Sequence, residues 1–146
     1  MIQITKVSTG TATERLASYS RLVAVGEWIF VSNTAGRNPA TKTIPEDVAE
    51  QTGQVLDNIE RALGAVDASL ADVVAARVFI QDPADLPAVV AAYGERMRGV
   101  DPTLTLTCPP LGLEEYKVEI EVTAYRGAAT AHVTKIELGA PPDFKP

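Results

Sequence analysis

An α+β domain is the fold the sequence predicts, with two helices packed on one face of a mixed sheet. Three patterns point to it. Arg21-Leu-Val-Ala-Val25 and Trp28-Ile-Phe-Val-Ser32 are β-rich runs flanking the dipeptide Gly26-Glu27, which marks a tight hairpin. Val48, Thr52, Val55, Leu56, Ile59, Ala62, Leu63 and Val66 recur at helical spacing. Residues 116–126 alternate, with Val118, Ile120, Val122 and Ala124 on one side and Lys117, Glu119, Glu121 and Thr123 on the other.

The remaining elements follow in order. Residues 3–8 read as a first strand and the Thr/Gly/Ala stretch 9–13 as a loop. Gly36, Asn38 and Pro39 are turn residues after the hairpin. Pro45 is expected in the first turn of the long helix, where its missing N–H costs nothing, and Glu46 and Asp47 suit the positive helix end. Ser69-Leu-Ala-Asp72 is a capping-box turn ahead of a buried, β-branched strand over residues 73–80. Asp82-Pro83 breaks the chain, and a second helix covers about residues 85–97, with Val89, Val90, Tyr93 and Met97 on one side. Residues 103–108 form a strand before the alternating one. The expected order is β-β-β-α-β-α-β-β. Residues 1–126 make the domain. Residues 127–146 are an extension, with an added edge strand at 132–138 and a Pro-rich tail at 141–146.

At 146 residues, 46% hydrophobic and 22% charged, the chain has the length and composition of one globular domain. No apolar run is long enough to span a bilayer, and no basic-then-apolar leader opens the sequence. A single cysteine, Cys108, fits a reducing compartment, so a cytoplasmic location is expected. The net charge of −6 and the lack of any Lys/Arg cluster argue against nucleic acid as a partner.

Two helices cover only one sheet face, yet the hairpin is apolar on both. Trp28 and Phe30 point one way, Ile29 and Val31 the other, and Leu104, Leu106 and Cys108 form a further apolar row. An open apolar face of this kind predicts a homo-oligomer; the alternative is that the tail or a loop covers it.

Glycine-rich nucleotide loops and a Gly-x-Ser-x-Gly elbow are absent, and one His with one Cys does not make a zinc site. His132 lies outside the core segments. What remains is carboxylates and hydroxyls. Glu119 and Glu121 lie on the polar side of the last strand. At a subunit contact a carboxyl there would be partly desolvated and its pKa raised, which suits acid–base work; a solvated strand carboxylate is the alternative. Tyr19-Ser20, before the hairpin, could place a phenol against a ligand.

In order along the chain stand Ala17-Ser-Tyr-Ser20, Trp28-Ile-Phe-Val-Ser32, Asp47 with Gln51-Thr52 and Val55-Leu-Asp-Asn-Ile59, Ser69-Leu-Ala-Asp-Val-Val74, and Val118-Glu-Ile-Glu121. This series resembles the RidA/YjgF family, also called L-PSP endoribonuclease-like or reactive-intermediate deaminases, over residues 19–126. The resemblance implies a chorismate-mutase-like fold, three subunits around a shared β-barrel, and a small-molecule cleft at each subunit interface. It implies hydrolysis of enamines and imines such as 2-aminoacrylate and 2-iminopropionate to a 2-keto acid and ammonia, with no metal or organic cofactor.

The family's tyrosine matches Tyr19 and its water-placing glutamate matches Glu119. Its Val-Ser-Gly reads Val31-Ser32-Asn33 here. Its Pro-x-Arg-Ser motif falls on Pro102-Thr-Leu-Thr105, so the arginine that grips a substrate carboxylate is Leu104, and the cleft position two residues on is Leu106. Leu104, Leu106 and Cys108 would then form an apolar wall. A charge-assisted hydrogen bond of about 1.5–3 kcal/mol is lost, and Lys or a neutral residue is a poor substitute for a bidentate guanidinium. Arg37 is the nearest candidate replacement, ahead of Arg77 and Arg126. The expected function is therefore deamination of an imine or enamine other than a simple 2-imino acid. The alternatives are a non-catalytic ligand- or protein-binding trimer and, least favoured by the acidic charge, a nuclease.

Overall fold

The structure is a computed structural model that describes residues 1–139. Six strands form one sheet: β1 (Ile4–Val7), β2 (Leu22–Val25), β3 (Trp28–Ala35), β4 (Val73–Ile80), β5 (Thr103–Thr107) and β6 (Val118–Tyr125). Their spatial order is β1-β2-β3-β6-β4-β5. All neighbours are antiparallel except β4 and β5, so the sheet is mixed as expected. The hairpin turn is type II′ in sign, with Gly26 at φ +57° and Glu27 at negative φ.

Helices α2 (Val48–Gly64) and α3 (Leu86–Arg96) lie on one face of the sheet. Val55, Leu56, Ile59 and Leu63 of α2 and Val89 and Tyr93 of α3 are buried against Leu22, Ile29, Val31, Val78, Ile80, Val118, Ile120 and Val122. The alternation read in the last strand is therefore the division between a dry face and an open one. Val90, expected beside Val89, is exposed, because it lies 100° round the helix from it.

Local chemistry sets the element ends. Asp47 caps α2 by accepting from the Glu50 N–H at 2.9 Å, so Pro45 sits before the helix and not in its first turn. The extended Asp47 satisfies a first-turn donor, which a proline does not do. Ser69 and Asp72 form the expected capping box. One helix was not anticipated: α1 (Ala12–Ala17) starts where Thr11 accepts from the Glu14 N–H and ends at Ser18 in the left-handed region. Residues 132–139, where an edge strand was expected, pair with no strand of this subunit. The tail at 141–146 lies outside the described residues.

Two buried side chains tie loops to this frame. Gln51, fully buried in α2, donates to the carbonyls of Pro45 and Glu115, both at 2.9 Å. Its Oε1 accepts from the N–H groups of Lys117 and Val118 at 2.7 and 3.3 Å. Gly36 passes directly over it: a Cβ there would lie 2.7 Å from Gln51 Cγ and 2.9 Å from its carbonyl oxygen. Gln81 holds the 109–117 loop from the other side, accepting from Leu111 N–H and donating to the Leu113 and Tyr116 carbonyls.

Candidate functional site

The open face of the sheet has two zones. One end is apolar: Ile4, Trp28, Phe30 and Tyr125 are 59%, 49%, 48% and 40% exposed. Trp28 and Tyr125 meet edge to face with ring centroids 5.0 Å apart. The other end is polar. Arg77 and Glu121 face each other across β4 and β6 and pair at 2.6 Å, and Glu119 follows two residues earlier on β6.

Glu119 is brought to a set of partners by an irregularity in β3. The β3–β6 register advances three residues on β3, from Val31 to Thr34, against two on β6, from Val122 to Ile120. The extra residue bulges Ser32 and Asn33 out of the ladder, and a bulge re-aims the side chains it carries. Asn33 Nδ2 donates to Glu119 Oε2 at 2.7 Å, and Ser32 Oγ donates to the Ser20 carbonyl at 2.7 Å. Burial pushes the Glu119 carboxyl above the ordinary carboxylate range, with the Arg21 charge opposing the rise.

Arg21 is the residue that the sequence reading missed. Its backbone is fixed at the head of β2, donating to Val7 and accepting from Ser32. Its guanidinium donates to the Asn33 carbonyl at 2.9 Å, to Thr34 Oγ1 at 3.2 Å and to the Tyr19 hydroxyl at 3.0 Å. It also lies 5.4 Å from the centroid of the Tyr19 ring. Behind it, Glu14 of α1 approaches Arg21 Nε at 3.6 Å. Glu14 is only 3% exposed. Burial works against its charge, but hydrogen bonds from Thr9 Oγ1, Ser8 Oγ and the Thr9 N–H outweigh it and, with Arg21, hold its pKa at about 2. An open cleft of about 240 Å³ lies beside this cluster, lined by Ser8, Glu14, Arg15, Ser18, Tyr19 and Ser20.

The structure thus gathers Tyr19, Ser32, Asn33 and Glu119. It does not bring Leu104, Leu106 and Cys108 to them within one subunit. β5 pairs parallel with β4, setting Leu104 beside Ala76 and Leu106 beside Val78. Ala76 and Val78 belong to the helix-covered face, so the leucines lie on the face opposite Glu119, at the uncovered margin of the sheet. They are not part of the apolar patch around Trp28, as the sequence had suggested. Leu106 packs on the core, Leu104 is 43% exposed, and Cys108 is a free, exposed thiol past the end of β5. The residues of β5 that share the open face are Thr103, Thr105 and Thr107.

None of the proposed stand-in arginines reaches Glu119. Arg37 donates to the Tyr116 hydroxyl at 3.3 Å and to the Lys42 carbonyl at 3.4 Å. Arg77 pairs with Glu121, and Arg126 donates to the carbonyls of Val66 and Gly26. Among the described residues no group of His, Cys, Asp and Glu is placed to hold a metal ion, and no helix is long and apolar enough to cross a membrane.

Comparison with known proteins fits this architecture. The family model described as Endoribonuclease L-PSP matches residues 9–126. The 2-iminobutanoate/2-iminopropanoate deaminase of Escherichia coli strain K12 is 30% identical over 123 residues, 82% of this chain and 96% of its own. A RutC family protein of Pyrococcus abyssi is also 30% identical, over 121 residues, 82% of this chain and 95% of its own. Among solved structures, Rv2704 of Mycobacterium tuberculosis superposes with a TM-score of 0.77 at 32% identity, covering 84% of this chain and 99% of its own. The YjgF gene product of E. coli does so with a TM-score of 0.74 at 29% identity, covering 84% and 98%. Match length, identity and fold agree, and the chain belongs to the RidA/YjgF family.

Proposed function

We propose that this protein hydrolyses an imine or enamine other than a simple 2-imino acid, in a cleft completed by a neighbouring subunit of a homotrimer. The observation that carries the proposal is the Asn33–Glu119 contact. A carboxyl raised in pKa by burial, held by an amide on a bulge and linked through Asn33 and Arg21 to the Tyr19 phenol, is equipped to take a proton from water. The water oxygen bonds to the carbon of the C=N group, its proton passes to Glu119, and the C=N electron pair moves to nitrogen. Glu119 returns the proton to the nitrogen of the resulting carbinolamine. The hydroxyl proton then passes through Glu119 to the nitrogen, the C–N electron pair leaves with nitrogen and the oxygen closes the C=O bond, giving a carbonyl compound and ammonia. No metal or organic cofactor enters these steps.

The subunit arrangement rests on two features of the fold. The apolar zone around Ile4, Trp28, Phe30 and Tyr125 needs a cover that the described residues of the chain do not supply. The Leu104–Leu106 margin lies on the far side of the sheet from Glu119, so a leucine-walled cleft takes Glu119 from one subunit and the β5 margin from the next. The deaminase activity of the E. coli relative supports the reaction class. Leu104, at the position of the family arginine, supports a different substrate.

The test is ammonia release from 2-iminopropionate and from imines lacking an α-carboxylate, for the wild type and Glu119→Gln. Turnover confined to the second group and lost in the variant is expected. Ordinary turnover of 2-iminopropionate would overturn the substrate reading, and no turnover of any imine would favour a ligand-binding trimer of the same fold. Sedimentation of a Trp28→Ser/Phe30→Ser double variant tests the assembly: it is expected as a monomer.

A further inference from the structure

We infer that Glu14 has already neutralised the one arginine packed beside Glu119, so that the site takes neutral or cationic ligands and rejects those bearing a carboxylate. The inference rests on the Glu119 reading above and deepens it by naming the ligand class.

The argument starts from the donors of Arg21. A guanidinium has five N–H groups in a fixed fork. Nε faces Glu14 Oε2 at 3.6 Å, Nη1 serves the Asn33 carbonyl and Thr34 Oγ1, and Nη2 serves the Tyr19 hydroxyl. No two parallel N–H groups remain for bidentate capture of a carboxylate. The side chain is also only 14% exposed. Arg21 therefore acts as a positioning residue: it orients the Tyr19 phenol and the bulged backbone of Asn33, whose side chain in turn holds Glu119.

The charge balance points the same way. Glu14 is a buried carboxylate with three hydrogen-bond donors of its own, from Ser8 and Thr9, besides Arg21. Such a group stays ionised and offsets Arg21. Arg77 is offset by Glu121, Arg37 is turned to Tyr116, and Arg15, at the rim of the cleft, donates to the Gly10 carbonyl. The charge left at the Asn33–Glu119 contact is that of Glu119. Beside Glu119 an entering carboxylate would meet a like charge and no arginine free for bidentate capture, whereas a protonated imine would meet a complementary one. The sequence carries a glutamate on a six-residue helix and an arginine at a strand head, and the fold turns them into a neutral pair at the entrance of the site.

The experiment compares two probes of nearly equal shape, pyruvate and pyruvamide, by amide and side-chain NMR titration of the full-length protein. Signals of Tyr19 and the Asn33 side-chain amide are followed in the wild type, Glu14→Gln and Glu119→Gln. Pyruvamide is expected to shift these signals at a concentration at least fivefold below that for pyruvate. Glu14→Gln, which unmasks the Arg21 charge, should narrow that ratio at least threefold by improving pyruvate alone. Glu119→Gln is expected to narrow it without disturbing α1, so the inference stays testable if the Glu14 variant does not fold. Pyruvate binding as tightly as pyruvamide to the wild type would overturn the inference while leaving the Glu119 site intact. Failure of both probes to shift Tyr19 or Asn33 would overturn the site itself, and the inference with it.

Discussion

Gln51 makes the sharpest test of how the site is held. It is fully buried, and its amide bridges the approach to α2, through the Pro45 carbonyl, to the approach to β6, through Glu115, Lys117 and Val118. Gln51→Leu keeps the volume and removes four hydrogen bonds. Each is worth about 0.5–1.5 kcal/mol net, and they act on one side chain, so their sum is sub-additive. A loss of about 3 kcal/mol follows. With an m-value of roughly 1–3 kcal/mol/M in urea, the midpoint of equilibrium unfolding should fall by about 1 M or more at unchanged slope. The expected loss of activity is larger than the loss of folded protein, because Val118 is the residue before Glu119 and its register is what Gln51 fixes. A midpoint within about 0.2 M of wild type would refute the reasoning and mean that the loop carbonyls find other partners.

Further tests address other parts of the molecule. Gly36→Ala places a methyl 2.7 Å from Gln51 Cγ, 2.9 Å from its carbonyl oxygen and 3.3 Å from Val55 Cγ2. Overpacking of this kind should cost about 1–3 kcal/mol in calorimetry or urea unfolding. Glu14, held at about pKa 2 in the folded protein, adds stability that is full above its unfolded value near 4.5 and is lost as pH falls toward 2. Unfolding curves of Glu14→Gln should lose that part of the acid dependence. Glu119 has the opposite sign. Its folded pKa is raised, so its ionisation disfavours the fold as pH climbs past the unfolded value, and Glu119→Gln should be at least as stable as wild type at pH 7 while losing turnover. The acid limb of wild-type activity should have its midpoint shifted upward from the ordinary glutamate value, as read from a pH–rate profile.

Much of the fold was legible because its signals are periodic. α2 and the alternation of β6 each repeat a spacing that fits one backbone geometry, and the Gly26-Glu27 turn and the Ser69–Asp72 capping box carry compact local signatures. α1 has no such period. Its only mark is Thr11-x-x-Glu14, a capping signature in a Thr/Gly/Ala stretch, and even there the Glu14 side chain turns to Ser8 and Thr9 and not to the cap. The site was half legible. Tyr19 and Glu119 stand out by residue type, but Arg21 reads as the first residue of a strand until the bulge at Ser32–Asn33 brings strand, loop and helix together. The side taken by Leu104 and Leu106 was not readable either. Alternation divides a strand into two rows, and only the parallel pairing of β5 with β4 says which row meets the helices.

The order of strands has a consequence for how the molecule is made. β3 and β4 are not neighbours; β6, the last strand among the described residues, is inserted between them. As the polypeptide is synthesised, the hairpin half and the β4–β5 half emerge with two unsatisfied edges facing a gap. Only when residue 125 is free of the ribosome can the gap be filled, a non-local closure that is slow compared with hairpin formation. Glu119 sits on that final strand. The proposed reactive group is therefore set in place in the same event that completes the sheet, and a chain arrested short of it holds open edges in place of a half-built site.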